Sequence, residues 1–452
     1  MAKTRQIKLG AFLMTDGHHI AAWRHPRSPA NAHVRVDHYL RLARLAEAAK
    51  LDALFLSDAL GIRDTNIRSV SRTSRNVGFE PLTLLSALSV VTHNIGLIGT
   101  ASTSFNEPFN LARQFASLDL MSGGRAGWNL VTSAGDEEAA NFRGDGHPPH
   151  AARYDRAREF VEVVKGLWNS WEDDAFIRDK VSGAFFDPRK LHQLDHHGPH
   201  FSVRGPLNVA RSPQGHPVIV QAGASEDGRD LAGASAEVVF AAHRTLAEAR
   251  AFYADIKARA AKAGRDPDHV KIMPGVFPVI GRTEAEAREK FEELQGLIEP
   301  QVGLQLLSTI MGVPDLSGYD VDGPLPDLPE TNGPKSRQQL VIDAARRDNL
   351  TIRQLYLSIA GARGHWQVVG TPLQIADQLE ERFLKEGADG FNIMAPHLPG
   401  GLEDFIEQVL PILRRRGLFR KEYEGTTLRE NLGLPFPVHP AHRASAPAVA
   451  AE

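Results

Sequence analysis

Short apolar runs alternate with amphipathic stretches along most of this chain, and that alternation sets the first structural expectation. Runs at 7–13, 53–58, 94–101, 125–132, 217–223, 238–243, 272–281 and 390–396 are rich in Val, Ile, Leu, Phe and Ala, with little polar alternation. That is the pattern of strands covered on both faces. Between them apolar positions recur at helical spacing, as over 39–50. Pro81 opens a helix reaching about Thr92, and Thr371-Pro372 opens another that Gly387 ends. Eight strands with intervening helices predict an α/β fold, a (β/α)8 TIM barrel with insertions. A doubly wound open sheet would share the local pattern.

Two segments break the rhythm. Residues 172–216 carry Phe185, Phe186 and a His-rich stretch. Residues 298–370 hold a Pro- and Gly-rich loop around 313–334, followed by a helix-like 338–359. Both read as insertions, since loops this long in a compact domain are usually functional or mobile. The expected organisation is one barrel domain over 1–435 and a loosely ordered Ala-, Pro- and His-rich tail over 436–452.

Composition narrows the classes. A formal net charge of -3 implies no general polyanion-binding surface, so no nucleic-acid partner is expected. The absence of cysteine excludes disulfides, thiolate metal sites and thiol catalysis. No apolar run approaches the ~18 residues of a bilayer span, and no signal segment precedes the first strand, so a cytoplasmic location is expected.

The candidate chemistry gathers at the predicted C-terminal ends of strands, where barrel active sites form. Ser57 and Asp58 end the second, Thr100 and Ser102 to Ser104 the third, and Asn129, Thr132 and Ser133 the fourth. His243 ends the sixth, and His397 follows the eighth. Gln221-Ala222-Gly223-Ala224-Ser225 has the small residues of a phosphate turn ahead of a helix, with Arg229 as a nearby cation. Ser225 as an ordinary N-cap is the alternative. Glu226 and Asp227 would repel a phosphate unless they point away. His150 and Tyr154, four apart, share a helix face. His192, His196, His197 and His200 match no standard zinc spacing, so no metal site is expected. Gly223-Ala224-Ser225-Glu226-Asp227 lacks the final glycine of a hydrolase nucleophile elbow. Neither a dinucleotide fingerprint nor a Walker loop occurs.

The chain resembles flavin-dependent monooxygenases related to bacterial luciferase, within the nitrilotriacetate and dibenzothiophene-sulfone monooxygenase branch. Ser122-Gly123-Gly124-Arg125-Ala126-Gly127-Trp128-Asn129 carries much of that resemblance. Leu56-Ser57-Asp58, Arg153-Tyr154-Asp155-Arg156-Ala157, Arg211-Ser212-Pro213-Gln214-Gly215 and Thr427-Leu428-Arg429-Glu430-Asn431 extend it along nearly the whole chain. The resemblance implies reduced FMN (FMNH2) delivered by a separate NAD(P)H:FMN oxidoreductase. It also implies O2 activation through a flavin C4a-(hydro)peroxide and oxygenation of a small organic substrate, often with C–N or C–S cleavage. The implied FMN contacts are Asp58, Thr100, His150, Tyr154 and Ser225; no dedicated catalytic residue is identified. A homodimer or homotetramer is the family-level expectation. Arg63, Arg68, Arg72 and Arg75 follow Asp58. If that loop faces the flavin it would suit an aminopolycarboxylate such as nitrilotriacetate; if it faces solvent it is only a charged loop. A sulfone or other xenobiotic substrate is the alternative, as is an F420-dependent or non-catalytic flavin-binding barrel.

Overall fold

Each of the eight apolar runs enters one parallel sheet. A computed structural model describes residues 5–62, 66–133, 135–142, 146–312, 316–328, 341–343 and 345–443. The strands are β1 (Lys8–Leu13), β2 (Ala53–Leu56), β3 (Gly96–Ser102) and β4 (Ala126–Val131), a short hairpin of β5 (His196–His197) and β6 (Ser202–Val203), then β7 (Val218–Ala222) and β8 (Val238–Phe240). They continue with β9 (Lys271–Ile272), β10 (Gly275–Ile280), β11 (Trp366–Gly370) and β12 (Gly390–Ile393). The sheet order is β11-β10-β12-β1-β2-β3-β4-β7-β8-β9. The predicted 272–281 strand is the bent pair β9 and β10. Its first half pairs with β8 and its second with β12, so the sheet closes on itself. Helices between the strands complete a TIM-barrel-like α/β fold. The open-sheet alternative is thereby set aside.

The barrel interior is packed, with Phe12, Phe55, Ile98, Val220, Phe240, Phe277 and Met394 in one buried cluster. Leu42, Leu85, Leu379 and Phe405 belong to the cluster that joins strands to outer helices. Strands buried on both faces explain why the runs were legible as unbroken apolar stretches.

The insertion over 298–370 contains what periodicity missed. β11 pairs in parallel with β10 from Val276↔Trp366 to Ile280↔Gly370. Its burial alternates, with Gln367 and Val369 only half-covered, and so it lacked the continuous apolar signature. The helix expected over 338–359 is also corrected. Its described part breaks at Asn349, whose φ is +48°, and Thr351 caps a new helix, Ile352–Ala360, through a capping box with Gln354. Residues 338–340 and 344 lie outside the described residues. The loose tail is corrected over 436–443. His439 is buried and its Nε2 bonds the Asn169 carbonyl at 2.8 Å, while Arg211 holds the Pro437 carbonyl. The remainder, 444–452, lies outside the described residues.

The base of the barrel is sealed from the far end of the chain. The helix Leu428–Leu432 is capped by Thr427 with Glu430 and ended by Gly433 at φ +68°. Leu428 fills the space at the start of β3 and β4: a Cβ on Gly96 would lie 2.3 Å from its Cδ1. Glycine is required there because the plug comes so close. Around the plug, buried polar groups are densely bonded. All five Arg125 guanidinium N–H groups have neutral partners at Ser122, Thr92, Ile95 and Ser89. Asp119 accepts from Ala126 N, Gln214 and Ser212. Asp52 pairs with Arg420 at 2.6 Å and accepts from Leu9 N. Arg429 pairs with Glu237, whose carboxyl the guanidinium holds down to about 2 against the cost of burial. The motif at 122–129 is thus divided: its first half locks the base, and only its far end reaches the opposite face.

Candidate active site

At that opposite face the strand tips present Asn129, Gln221 and Thr100, all buried. Thr100 Oγ1 donates to the Leu56 carbonyl at 2.8 Å and accepts from Asn129 Nδ2 at 2.8 Å. This ties β2, β3 and β4 together. Gln221 Nε2 donates to the Gly228 carbonyl, fixing the turn after β7. Asn129 Oδ1 and Gln221 Oε1 make no hydrogen bond among the described residues, although both are buried. His18 Nδ1, Arg75 Nε and His397 Nδ1 share that condition on the same face. Buried polar atoms are normally satisfied, so such a concentration marks a place for ligand atoms. Ser133, two residues beyond the end of β4, takes φ +51°, a left-handed conformation seldom used by serine, and its hydroxyl bonds Ser102.

The turn after β7 has the shape of an anion cradle. Ser225 caps the helix Glu226–Ser235, with Oγ accepting from Gly228 N at 3.2 Å. Tyr154 reaches over from the helix His150–Trp168, and its hydroxyl lies 3.5 Å from Ser225 Oγ. A Cβ on Gly228 would lie 3.0 Å from both oxygens. The glycine therefore keeps this polar corner open. The N–H groups of Glu226 and Asp227 have no intrahelical acceptor and sit at the positive helix end. Glu226 turns away from the corner, whereas Asp227 stays at its edge against His150. Glu226 binds Arg229 and Arg259, and Asp227 binds His150 Nδ1 at 3.2 Å and Arg158 at 3.4 Å. The cap reading and the cradle reading of Ser225 hold together, because capping uses one lone pair of the hydroxyl.

Of the expected contacts, the fold brings His150, Tyr154 and Ser225 into one group. The His150 and Tyr154 rings lie 4.8 Å apart. Asp58 and Thr100 stand apart from them, on a cleft of about 690 Å³ that also touches Glu80, Ser102 and Asn106. Asp58 Oδ1 accepts from Ala59 N. Arg229 is corrected as the local cation, because Asp255 and Glu226 draw it away at 2.9 and 2.7 Å. Arg158, which pairs with Asp227 beside His150, is a local cation that the sequence reading did not name. The signal existed: His150, Tyr154 and Arg158 are spaced by four along one helix face.

Histidines and arginines crowd the β1 side of the face. His18 packs edge-on against Phe12 at 4.4 Å and bonds the Phe12 carbonyl, and burial pushes its pKa well down. Burial also lowers His19 to about 4 and His397 to about 3. His25 stacks on His397 with centroids 3.8 Å apart. From the loop after Asp58, Arg75 donates to the His18 carbonyl. Arg63 lies outside the described residues. Sequence patterns could not show this side, because its residues lie in irregular segments that only tertiary packing unites.

The histidines of the 172–216 insertion do not converge. His196 binds Glu159, His197 binds Ser202, and His192 binds Glu172 at 2.8 Å. Glu172 also meets His442, with His439 alongside. The His439 nitrogens are already committed to Asn169 and Ala441, so this group is closed by its own hydrogen bonds.

Comparison with known proteins matches residues 12–390 to the luciferase-like monooxygenase family. The chain is 56% identical to N-acetyl-S-(2-succino)cysteine monooxygenase of Bacillus subtilis (strain 168), over 97% of this chain and 99% of that protein. It is 49% identical to nitrilotriacetate monooxygenase component A of Aminobacter aminovorans, over 97% and 98%. Among solved structures, riboflavin lyase with modified FMN and riboflavin superposes with a TM-score of 0.83 at 35% identity, covering 96% of this chain and 97% of that one.

Proposed function

From the premise that this chain belongs to the luciferase-like monooxygenase family and is a flavin-dependent monooxygenase, we propose that it is the oxygenase component of a two-component system. It takes FMNH2 from a separate NAD(P)H:FMN oxidoreductase and oxygenates a small carboxylated molecule, at a carbon bonded to nitrogen or sulfur. The observation that carries this reading is the open corner between Tyr154, Ser225 and the helix start at Glu226, with Glu226 turned outward and Asp227 neutralised by His150 and Arg158. A phosphate monoester fits those donors.

Ser225 and the first-turn N–H groups would bind the FMN phosphate, with Tyr154 donating a hydroxyl and His150 closing the outer side. Thr100, joined to Asn129 in the same row of tips, and Asp58 would lie along the rest of the cofactor. The orphaned Asn129 and Gln221 oxygens supply acceptors for flavin N–H groups. Bound reduced FMN supplies the electrons that activate O2. The chain's own part would be to hold the cofactor at the strand-tip face, where the buried Phe12, Phe55 and Phe240 would supply an apolar surface that keeps water out. Names of relatives support the substrate class: a succinylated thioether and an aminotricarboxylate both present carboxylates beside the heteroatom. Assembly as a homodimer or homotetramer belongs to the same proposal. Among the described residues no helix is long and apolar enough to cross a membrane.

The test is anaerobic titration with FMNH2, followed by oxygen and nitrilotriacetate or N-acetyl-S-(2-succino)cysteine with product analysis. Tight FMNH2 binding with oxygen-dependent consumption of one compound is expected. Failure of FMNH2 to bind sinks the proposal.

A further inference from the structure

Arg75 is an expensive residue to keep where it is. Its guanidinium leaves the loop after β2, turns into the strand-tip face and donates to the carbonyl of His18 beside the end of β1. Among the described residues its Nε makes no hydrogen bond, and neither does the Nδ1 of fully buried His18. Arg72, three residues earlier, holds the loop inward by accepting from Trp23 Nε1 through its carbonyl at 3.2 Å. The electrostatics agree with this geometry. Arg363 bears on both Arg75 and His18, and each of these positive groups disfavours charge on the others. Arg363 itself sits at φ +49°, on the segment leading into β11. The acid facing the group is Asp16, which is buried and whose pKa burial raises, so its negative charge is the one the fold makes costly. The unbonded Nε of Arg75, close to a carboxylate that burial makes costly to ionise, is a donor that an anion would satisfy.

We infer that Arg75, with His18 beside it and Arg363 behind it, forms a carboxylate-binding subsite that selects anionic substrates. This rests on the proposed oxygenase function and adds the residue that chooses among its substrates. A guanidinium with a free edge suits a carboxylate through paired N–H···O bonds. His18 Nε2 is committed as a donor to the Phe12 carbonyl, so neutral His18 presents Nδ1 as an acceptor, for an N–H or O–H of the ligand rather than for its carboxylate. The subsite lies across the face from the Tyr154–Ser225 corner, so it does not compete for the FMN phosphate.

The experiment measures equilibrium binding of nitrilotriacetate to the FMN-loaded protein by calorimetry, for wild type, Arg75→Gln and Arg75→Lys. Inorganic phosphate and the trimethyl ester of nitrilotriacetate serve as comparison probes. Arg75→Gln is expected to weaken nitrilotriacetate binding by at least about tenfold, with Arg75→Lys between it and wild type. FMN affinity should stay within about twofold in both variants, and wild-type binding should weaken with added salt. The neutral ester should bind weakly to all three proteins. Equal nitrilotriacetate affinity in the three proteins overturns the inference, as does wild type binding ester and acid alike. Preference for inorganic phosphate over nitrilotriacetate would also overturn it, by making this a phosphate site. If the carboxylate binds as expected but FMNH2 and oxygen yield no product, the oxygenase proposal fails and the subsite stands.

Discussion

The two ends of the barrel both bury polar side chains and treat them differently, although Arg420 Nη1 at the base also makes no hydrogen bond among the described residues. At the base, Arg125 spends every guanidinium hydrogen on a protein acceptor, Asp119 has three donors, and Arg429 fills the gap between Gln214, His216 and Glu237. At the mouth, Asn129, Gln221, His18, Arg75 and His397 each keep a buried atom without a hydrogen bond among the described residues. A satisfied polar network stiffens a structure, whereas an unsatisfied one destabilises it until something else supplies the bonds. The base therefore reads as the region that holds the fold, and the mouth as the region kept incomplete for its ligands. Barrels generally divide labour in this direction.

The contrast can be broken first at the base. Arg420→Met would strand the Asp52 carboxylate with only Leu9 N for company. The expected loss is about 3–5 kcal/mol of stability, read by denaturant unfolding, with FMN affinity unaltered in the folded protein. A comparable fall in FMN affinity would show that base and mouth are not separable. Next in size is the mouth. Ser225→Ala with Tyr154→Phe should weaken FMNH2 binding about 100-fold, from two lost hydrogen bonds to a charged group, with little change in melting temperature. Unchanged affinity would move the phosphate elsewhere.

A pH experiment sharpens the comparison further. His216 at the base is held down to about 3, and His19 and His397 at the mouth to about 4 and 3. Each depressed histidine contributes stability that is complete above its unfolded value near 6.5 and drains away as pH falls toward the folded value. The slope is about 1.4 kcal/mol per pH unit for each. Asp119 opposes one of them. Burial raises it to about 6, so its contribution is present below 3.8 and is lost as pH rises through 6. Stability should decline from pH 6.5 toward 4.5, and His216→Asn should flatten that decline by one histidine's share. Saturating FMN should leave the His216 share untouched. A profile that His216→Asn does not alter would contradict this. The smallest expected effect is at Asp227, which faces His150 and Arg158 across half-exposed side chains. Asp227→Asn should tighten FMN binding by a few-fold at most, about 0.5 kcal/mol, and less so in high salt. A loss of affinity would mean that Asp227 positions His150 for the cofactor.

Sequence patterns revealed the base and mouth unequally. Barrel strands were legible because both faces of each are covered, and β11 escaped because only one of its faces is. Ser225 and Tyr154 were found separately, one as a turn residue and one by helical spacing, and their contact depends on how the helix His150–Trp168 crosses the turn. Arg158 lay on that same face and went unread for want of a known partner. The segment at 427–434 was conspicuous in wording, yet its task as a plug depends on two distant glycines, Gly96 and Gly127, that make room for Leu428. His18 and Arg75 had no periodic signal at all.

That plug has a consequence for how the molecule comes into being. A ribosome releases β1 to β4 long before it reaches Leu428, so the nascent barrel must pass through a period with an open floor and an exposed apolar lining. Synthesis stalled before Thr427 would leave Arg125 and Asp119 formed but Gln214 and Glu237 lacking Arg429. Chaperone demand should therefore end late and abruptly, with the arrival of one five-residue helix.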